Sequence, residues 1–255
     1  MNSLNVHPRV APQYDIPQNT LLSALHQQVF TGDRASLGQR LTFKPSGDMI
    51  DISTLHHREK IDPIVTAYCQ SNYPKNDRRA AISMWSQWYF SLLLPDIMVL
   101  LHHGQCRLHF QSGDFALICD EKFRPNRFVL GDYPVLPTSA SPCGHKAWAP
   151  YLGLIDHHLS PLITALASVS GTSPKVFWMN AAVVIAYLAK TTLSPEKGLT
   201  ALIADKQRPD GNRNLLCAPY ASPKQADTPC KRRICCLRYM LDNVDECSTC
   251  PLVKT

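Results

Sequence analysis

The chain is short of charge and of glycine: 18% of its 255 residues are charged, against roughly 25% in ordinary soluble domains, and 11 glycines stand against 20 prolines. That balance points to long ordered connections rather than flexible ones. No G-x-G-x-x-G run occurs, which removes a dinucleotide site of that kind, and no H-E-x-x-H pattern gathers metal ligands on one helix face. The positive surplus, +6 from 26 Lys+Arg against 20 Asp+Glu, is dispersed apart from Arg78–Arg79 and Lys231–Arg233. A nucleic-acid footprint needs a denser basic stripe, so no nucleic-acid partner is expected; the surplus suits solubility, an anionic small ligand or an acidic protein partner. The opening MNSLNVHPRVAPQYDIPQNT has no apolar region behind a charged start, so no secretory leader is read and a cytoplasmic location is expected. No internal repeat or low-complexity tract is present.

Hydrophobic residues make up 45% of the chain, enough for a substantial core. Residues 1–20 read as a surface arm. Leu22, Leu25 and Val29 have helical spacing and stop at Gly32. Ile82 to Leu101 has the length of a membrane span, but Ser83, Ser86, Gln87, Ser91, Asp96 and Pro95 interrupt it, which favours a buried core helix kinked at Pro95. RLHFQ, FALIC and RFVLG between Arg107 and Leu130 read as short strands of a small antiparallel sheet. Residues 150–168, 173–190 and 195–207 return to helical patterns, two of them opening near Ser160-Pro161 and Ser173-Pro174. The predicted fold is α+β, mainly helical with one small antiparallel sheet. Its main domain is 1–216, and 217–255 forms a Cys-rich C-terminal lobe behind the proline-bearing linker APYASPKQADTPCKRR.

Six of the ten cysteines fall in the last 39 residues, and four of them, Cys235, Cys236, Cys247 and Cys250, spell C-C-x10-C-x2-C. The two-residue gap between Cys247 and Cys250 lets two thiolates reach one metal, iron or zinc alike. Adjacent Cys235 and Cys236 diverge, which suits the two metal centres of an iron–sulfur cluster better than one tetrahedral ion. Structural zinc and a disulfide or inert thiols remain the other readings. Lys231, Arg232 and Arg233 either lower the thiol pKa values and bias a cluster toward its reduced state or form a solvated basic turn.

The run RRICCLRYMLDNVDECSTCP, residues 232–251, resembles the C-terminal signature of FhuF-type ferric siderophore reductases. Chain length and C-terminal placement agree, and Trp85-Ser86-Gln87-Trp88 and Phe177-Trp178-Met179-Asn180 are compatible with the family. The resemblance implies a [2Fe–2S] cofactor held by Cys235, Cys236, Cys247 and Cys250, with no catalytic residue beyond the cluster. It also implies one-electron reduction of Fe(III) in a hydroxamate-type siderophore, in the cytoplasm, with release of Fe(II). Hard siderophore oxygens suit Fe(III) better than Fe(II), so one electron loosens the chelate. The electron must come from an external donor protein or small reductant. Transient inner-membrane association is compatible with this, without a transmembrane span. The alternative is a non-enzymatic iron–sulfur or zinc-binding module acting as a redox or iron sensor.

The doublets His56-His57, His102-His103 and His157-His158 lack the spacing of metal sites. Cys69, Cys106 and Cys119 read as small core residues, and Cys143 in SPCGHKAW as part of a turn. Cys217 and Cys230 flank the linker as spare thiols. Trp178, Asn180, Arg208 and Arg213 are the candidates for a wall facing the siderophore, with core packing the stronger reading of Trp178.

Overall fold

The computed structural model describes residues 20–44, 47–137, 147–191, 197–221 and 230–253. Helix α1 (Leu22–Val29) leads to two short strands, β1 (Leu41–Thr42) and β2 (Ile50–Asp51), then to α2 (Arg58–Asn72) and the long α3 (Arg78–Gly104). Strands β3 (Cys106–Arg107), β4 (Phe115–Cys119), β5 (Pro125–Leu130) and β6 (Leu136–Pro137) follow. The second half is helical: α4 (Leu152–Leu154), a π turn (Ile155–Leu159), α5 (Ser160–Ser170), α6 (Pro174–Thr191) and α7 (Lys197–Ala204). The fold is α+β and mainly helical.

Helix α3 is the axis of the core. Its sequence is apolar on every face, and Trp85, Phe90, Leu93, Ile97 and Leu101 are fully buried because α1, α2, α5, α6 and β5 pack around it. Asp77 caps its start, accepting from the Arg79 N–H at 2.8 Å. The helix continues through Pro95, which has no N–H to give the Ser91 carbonyl four residues back. Arg40 supplies that donor, its Nη1 lying 3.1 Å from the Ser91 oxygen. Gly38, two residues before Arg40, turns the chain in the left-handed region at φ +81°, and a Cβ there would stand 2.7 Å from the Phe30 ring.

The main sheet has the order β1-β5-β4-β2. The β4–β5 hairpin and the β2–β4 pair are antiparallel, as expected, but β1 joins β5 in parallel, Leu41 opposite Phe128, so the sheet is mixed. The RLHFQ segment is not a strand of it. Only Cys106–Arg107 pairs, with Leu136–Pro137, in a separate two-stranded ladder. Leu108 and Phe110 are buried by packing, which produced the alternating pattern without a ladder.

Among the described residues one stretch, Leu152–Ser170, is long and apolar enough to cross a membrane, at a mean hydropathy of 1.2. Its α5 part packs against α2, α3 and α6, as a core helix does. The other apolar stretch, Ile82–Leu101, lies within α3.

Candidate metal centre

After Cys217 the described residues have little regular structure, and hydrogen bonds among them shape the segment. The Ala221 N–H donates to the Lys231 carbonyl at 2.8 Å, and the Arg233 N–H donates to the Pro219 carbonyl at 3.0 Å. The Arg232 N–H donates to the Thr249 carbonyl at 2.8 Å, which holds the two halves of the cysteine motif side by side. Leu237 takes a left-handed conformation, φ +64°, directly after Cys235–Cys236. That turn aims the Leu237 N–H at Cys235 Sγ, 3.3 Å away. The Cys250 N–H donates to the Cys247 carbonyl at 2.8 Å, closing the second turn.

Cys236 and Cys250 are buried, 1% and 2% exposed, while Cys235 and Cys247 are partly open. Cys236 Sγ and Cys247 Sγ are 3.9 Å apart. Burial pushes the Cys235 thiol up to about 11, and the nearby Cys236, Cys250 and Cys247 add to the shift. Cys247 is raised by burial first and by Cys236 next, with Arg232 opposing. The basic run therefore does not set the balance: Arg232 pulls in the anticipated direction, but desolvation and mutual repulsion outweigh it. Cys235 and Cys247 therefore resist ionising where no cation offsets the charge.

Among the described residues, no three His, Cys, Asp or Glu side chains close on one point as the shell of a single ion does. Sulfurs around a tetrahedral zinc stand about 3.8 Å apart, given a bond of about 2.3 Å. The set here is all sulfur, with no imidazole or carboxylate among the four, and its Cys236–Cys247 separation of 3.9 Å is close to that value. That donor set fits a two-iron cluster, whose ligands are shared between two metals.

A buried polar strut ties this lobe to the core. Ser83 Oγ on α3 donates to the Cys236 carbonyl at 2.7 Å. Asn180 on α6, 2% exposed, donates through Nδ2 to Ser83 Oγ at 3.1 Å and Ser86 Oγ at 3.0 Å. Its Oδ1 accepts from Arg232 Nη1 at 3.1 Å. Sequence reasoning placed Asn180 on a substrate wall and missed Ser83. Both lie in polar interruptions of otherwise apolar helices, and that was the available signal.

Two clefts border the lobe on either side of α6. One, of about 710 Å³, is lined by Cys247, Ser248, Thr249, Arg232, Arg40, Asp96, Asn180, Tyr187 and Tyr220. The other, of about 500 Å³, is lined by Lys175, Trp178, Lys206, Arg213, Arg233 and Ile234. The four residues suggested for one wall are thus separated. Asn180 lines the first cleft and Trp178 and Arg213 the second, whereas Arg208 is paired with Asp156 at 2.6 Å and lines neither. Trp178 is 7% exposed and belongs to the core as well.

The histidine doublets separate too. His56 and His158, from different doublets, bond at 3.0 Å, and His102 bonds the Tyr151 hydroxyl at 2.9 Å. Cys69 and Cys106 are buried and Cys119 half-buried, as core residues. Cys143 lies outside the described residues.

The family model described as "Ferric iron reductase FhuF-like transporter" matches residues 83–228, and the one described as "FhuF 2Fe-2S C-terminal domain" matches residues 232–252. A protein of Escherichia coli (strain K12) named "Ferric siderophore reductase" is 28% identical over 189 residues, covering 69% of this chain and 67% of that protein. The first match spans more than half the chain and the second falls on the four-cysteine lobe. The chain therefore belongs to the FhuF-like ferric iron reductases, with a [2Fe–2S] cluster as its cofactor.

Proposed function

We propose that Cys235, Cys236, Cys247 and Cys250 hold the cluster, and that the protein passes one electron to Fe(III) in a hydroxamate-type siderophore seated in the cleft beside Cys247. The observation that carries this reading is the placement of a partly open cysteine, Cys247, on the wall of a cleft of about 710 Å³. When bound, the cluster supplies single-electron chemistry without a proton-transfer residue. The chain's own residues prepare the rest. Tyr187 and Tyr220 offer aromatic faces, and Arg40 and Arg232 offer charge to chelate oxygens. Val183, Val184 and Leu188 exclude water from the cleft wall. Ser83 and Arg232 fix the backbone on which Cys236 and Cys247 stand. After one electron the iron is Fe(II), for which hard oxygen ligands are a poorer match, and it leaves.

The electron donor is external and the site of action cytoplasmic. Residues 1–216 serve as the main domain and 217–255 as the cluster lobe; the two family matches divide somewhat later, between residues 228 and 232. Family membership argues against the sensor alternative.

The test is chemical analysis and single-turnover kinetics on protein purified without oxygen. Two irons and two acid-labile sulfides per chain, and reoxidation of the reduced protein by a ferric trihydroxamate, are expected. Cys247→Ser should lose the visible spectrum and at least tenfold in turnover, while Cys69→Ser, at a core position on α2, should keep both. A colourless wild type with one zinc, or a Cys247→Ser variant with full colour and turnover, would sink the assignment.

A further inference from the structure

The second cleft is unlike the first. Lys175 at the start of α6, Lys206 after α7, Arg213 in the following loop and Arg233 in the cysteine lobe converge on it from four segments, and all four are exposed. None of them is in an ion pair among the described residues. The carboxylates nearest in sequence are engaged elsewhere: Asp205 accepts from Trp148 Nε1 at 2.9 Å, and Asp210 accepts from the Asn212 backbone and side chain. On the wall of this cleft lies Ile234, the chain neighbour of the partly open Cys235. The reductase reading needs an electron from outside, and this is a positively charged surface one residue from a proposed cluster ligand, across α6 from the chelate cleft.

We infer that the face formed by Lys175, Lys206, Arg213 and Arg233 docks the electron donor, an acidic one-electron carrier protein of the ferredoxin type. A protein fits better than a small phosphorylated molecule because none of the four cations is buried. A small anion is held by desolvated, preorganised donors, whereas exposed rim cations steer a macromolecular encounter. The step is a plain electron transfer. The reduced carrier loses one electron and leaves oxidised, this protein gains one, and no bond or proton changes hands until Fe(III) takes that electron in the other cleft. The inference rests on the reductase reading, and the two fail separately.

The experiment follows bleaching of the oxidised protein by a reduced acidic [2Fe–2S] ferredoxin and by photoreduced 5-deazariboflavin, an uncharged donor. With ferredoxin, the Lys175→Glu/Lys206→Glu variant should lose about tenfold or more in second-order rate at low salt, and the wild-type rate should fall toward the variant's as salt rises. With the deazaflavin both proteins should react alike, and the conservative Lys175→Arg/Lys206→Arg variant should keep the wild-type rate with either donor. A charge-reversed variant that accepts electrons from ferredoxin at the wild-type rate, a wild-type rate indifferent to salt, or equal slowing with both donors would each overturn the assignment. Reoxidation of the pre-reduced variant by a ferric trihydroxamate reads the other half of the reaction. If the wild type also fails there, the reductase reading is at fault and not the docking face.

Discussion

His158 is fully buried, with Tyr89 Oη 2.8 Å from its Nε2 and His56 Nε2 3.0 Å from its Nδ1. A neutral ring satisfies both contacts: the tyrosine hydroxyl donates to Nε2, and an Nδ1–H donates to His56. Burial holds His158 well below the usual histidine range, with the proximity of His56 adding to it. His56 is lowered by burial and then by His57, against Asp51. The folded state thus refuses protons that the unfolded chain accepts below about pH 6.5. The stabilising contribution is complete above that value and is lost as pH falls through the window beneath it. Each pH unit below about 6.5 should cost up to about 1.4 kcal/mol per neutral histidine, or about 2–4 °C in melting temperature. Melting curves from pH 7.5 to 5.0 should show this fall, and His158→Gln, though less stable at neutral pH, should show a flatter one; parallel slopes would refute the account. At this scale the cysteines were legible, because clustering and spacing are properties of the sequence itself. The His56–His158 bond spans 102 residues of chain, and nothing local to either doublet announced it.

Among the elements, α3 shows how one irregularity recruits another. Pro95 withholds a donor from Ser91, and Arg40, from the strand side of the fold, supplies it. Arg40→Ala should cost about 0.5–1.5 kcal/mol, the usual worth of such a bond. In a Pro95→Ala background, where residue 95 can donate to Ser91 itself, the same change should cost clearly less. Equal costs in denaturant titrations of the four proteins of the cycle would mean that Arg40 contributes nothing through that carbonyl. The stretch Leu152–Ser170 makes a related adjustment. Pro161 has no N–H for the His157 carbonyl, and the ladder widens into the π turn Ile155–Leu159, which carries His158 inward. The sequence pattern placed helices at both sites, since apolar periodicity is a local signal. The parallel docking of a two-residue β1 on β5 and the widened turn depend on distant partners and were not legible in it.

For the whole molecule, the described residues of the cysteine lobe are poor in helix and strand, and the Arg232–Asn180–Ser83 strut attaches the lobe to the core. A group bound only by the folded state stabilises that state, by about 3–4 kcal/mol at a hundred- to a thousandfold excess over its dissociation constant. Removing iron with a chelator should therefore lower the melting temperature by several degrees, and reconstitution with iron and sulfide should restore it. A melting temperature unchanged by iron removal would show that the lobe folds on thiol packing alone.

Helix α6 is a partition. Lys175 and Trp178 line one cleft, and Asn180, Val183, Val184 and Tyr187 line the other. Two partners meeting opposite sides of one helix do not compete for space. A large excess of chelate should then leave the apparent affinity for the donor unchanged, and turnover can proceed without either partner waiting for the other to depart.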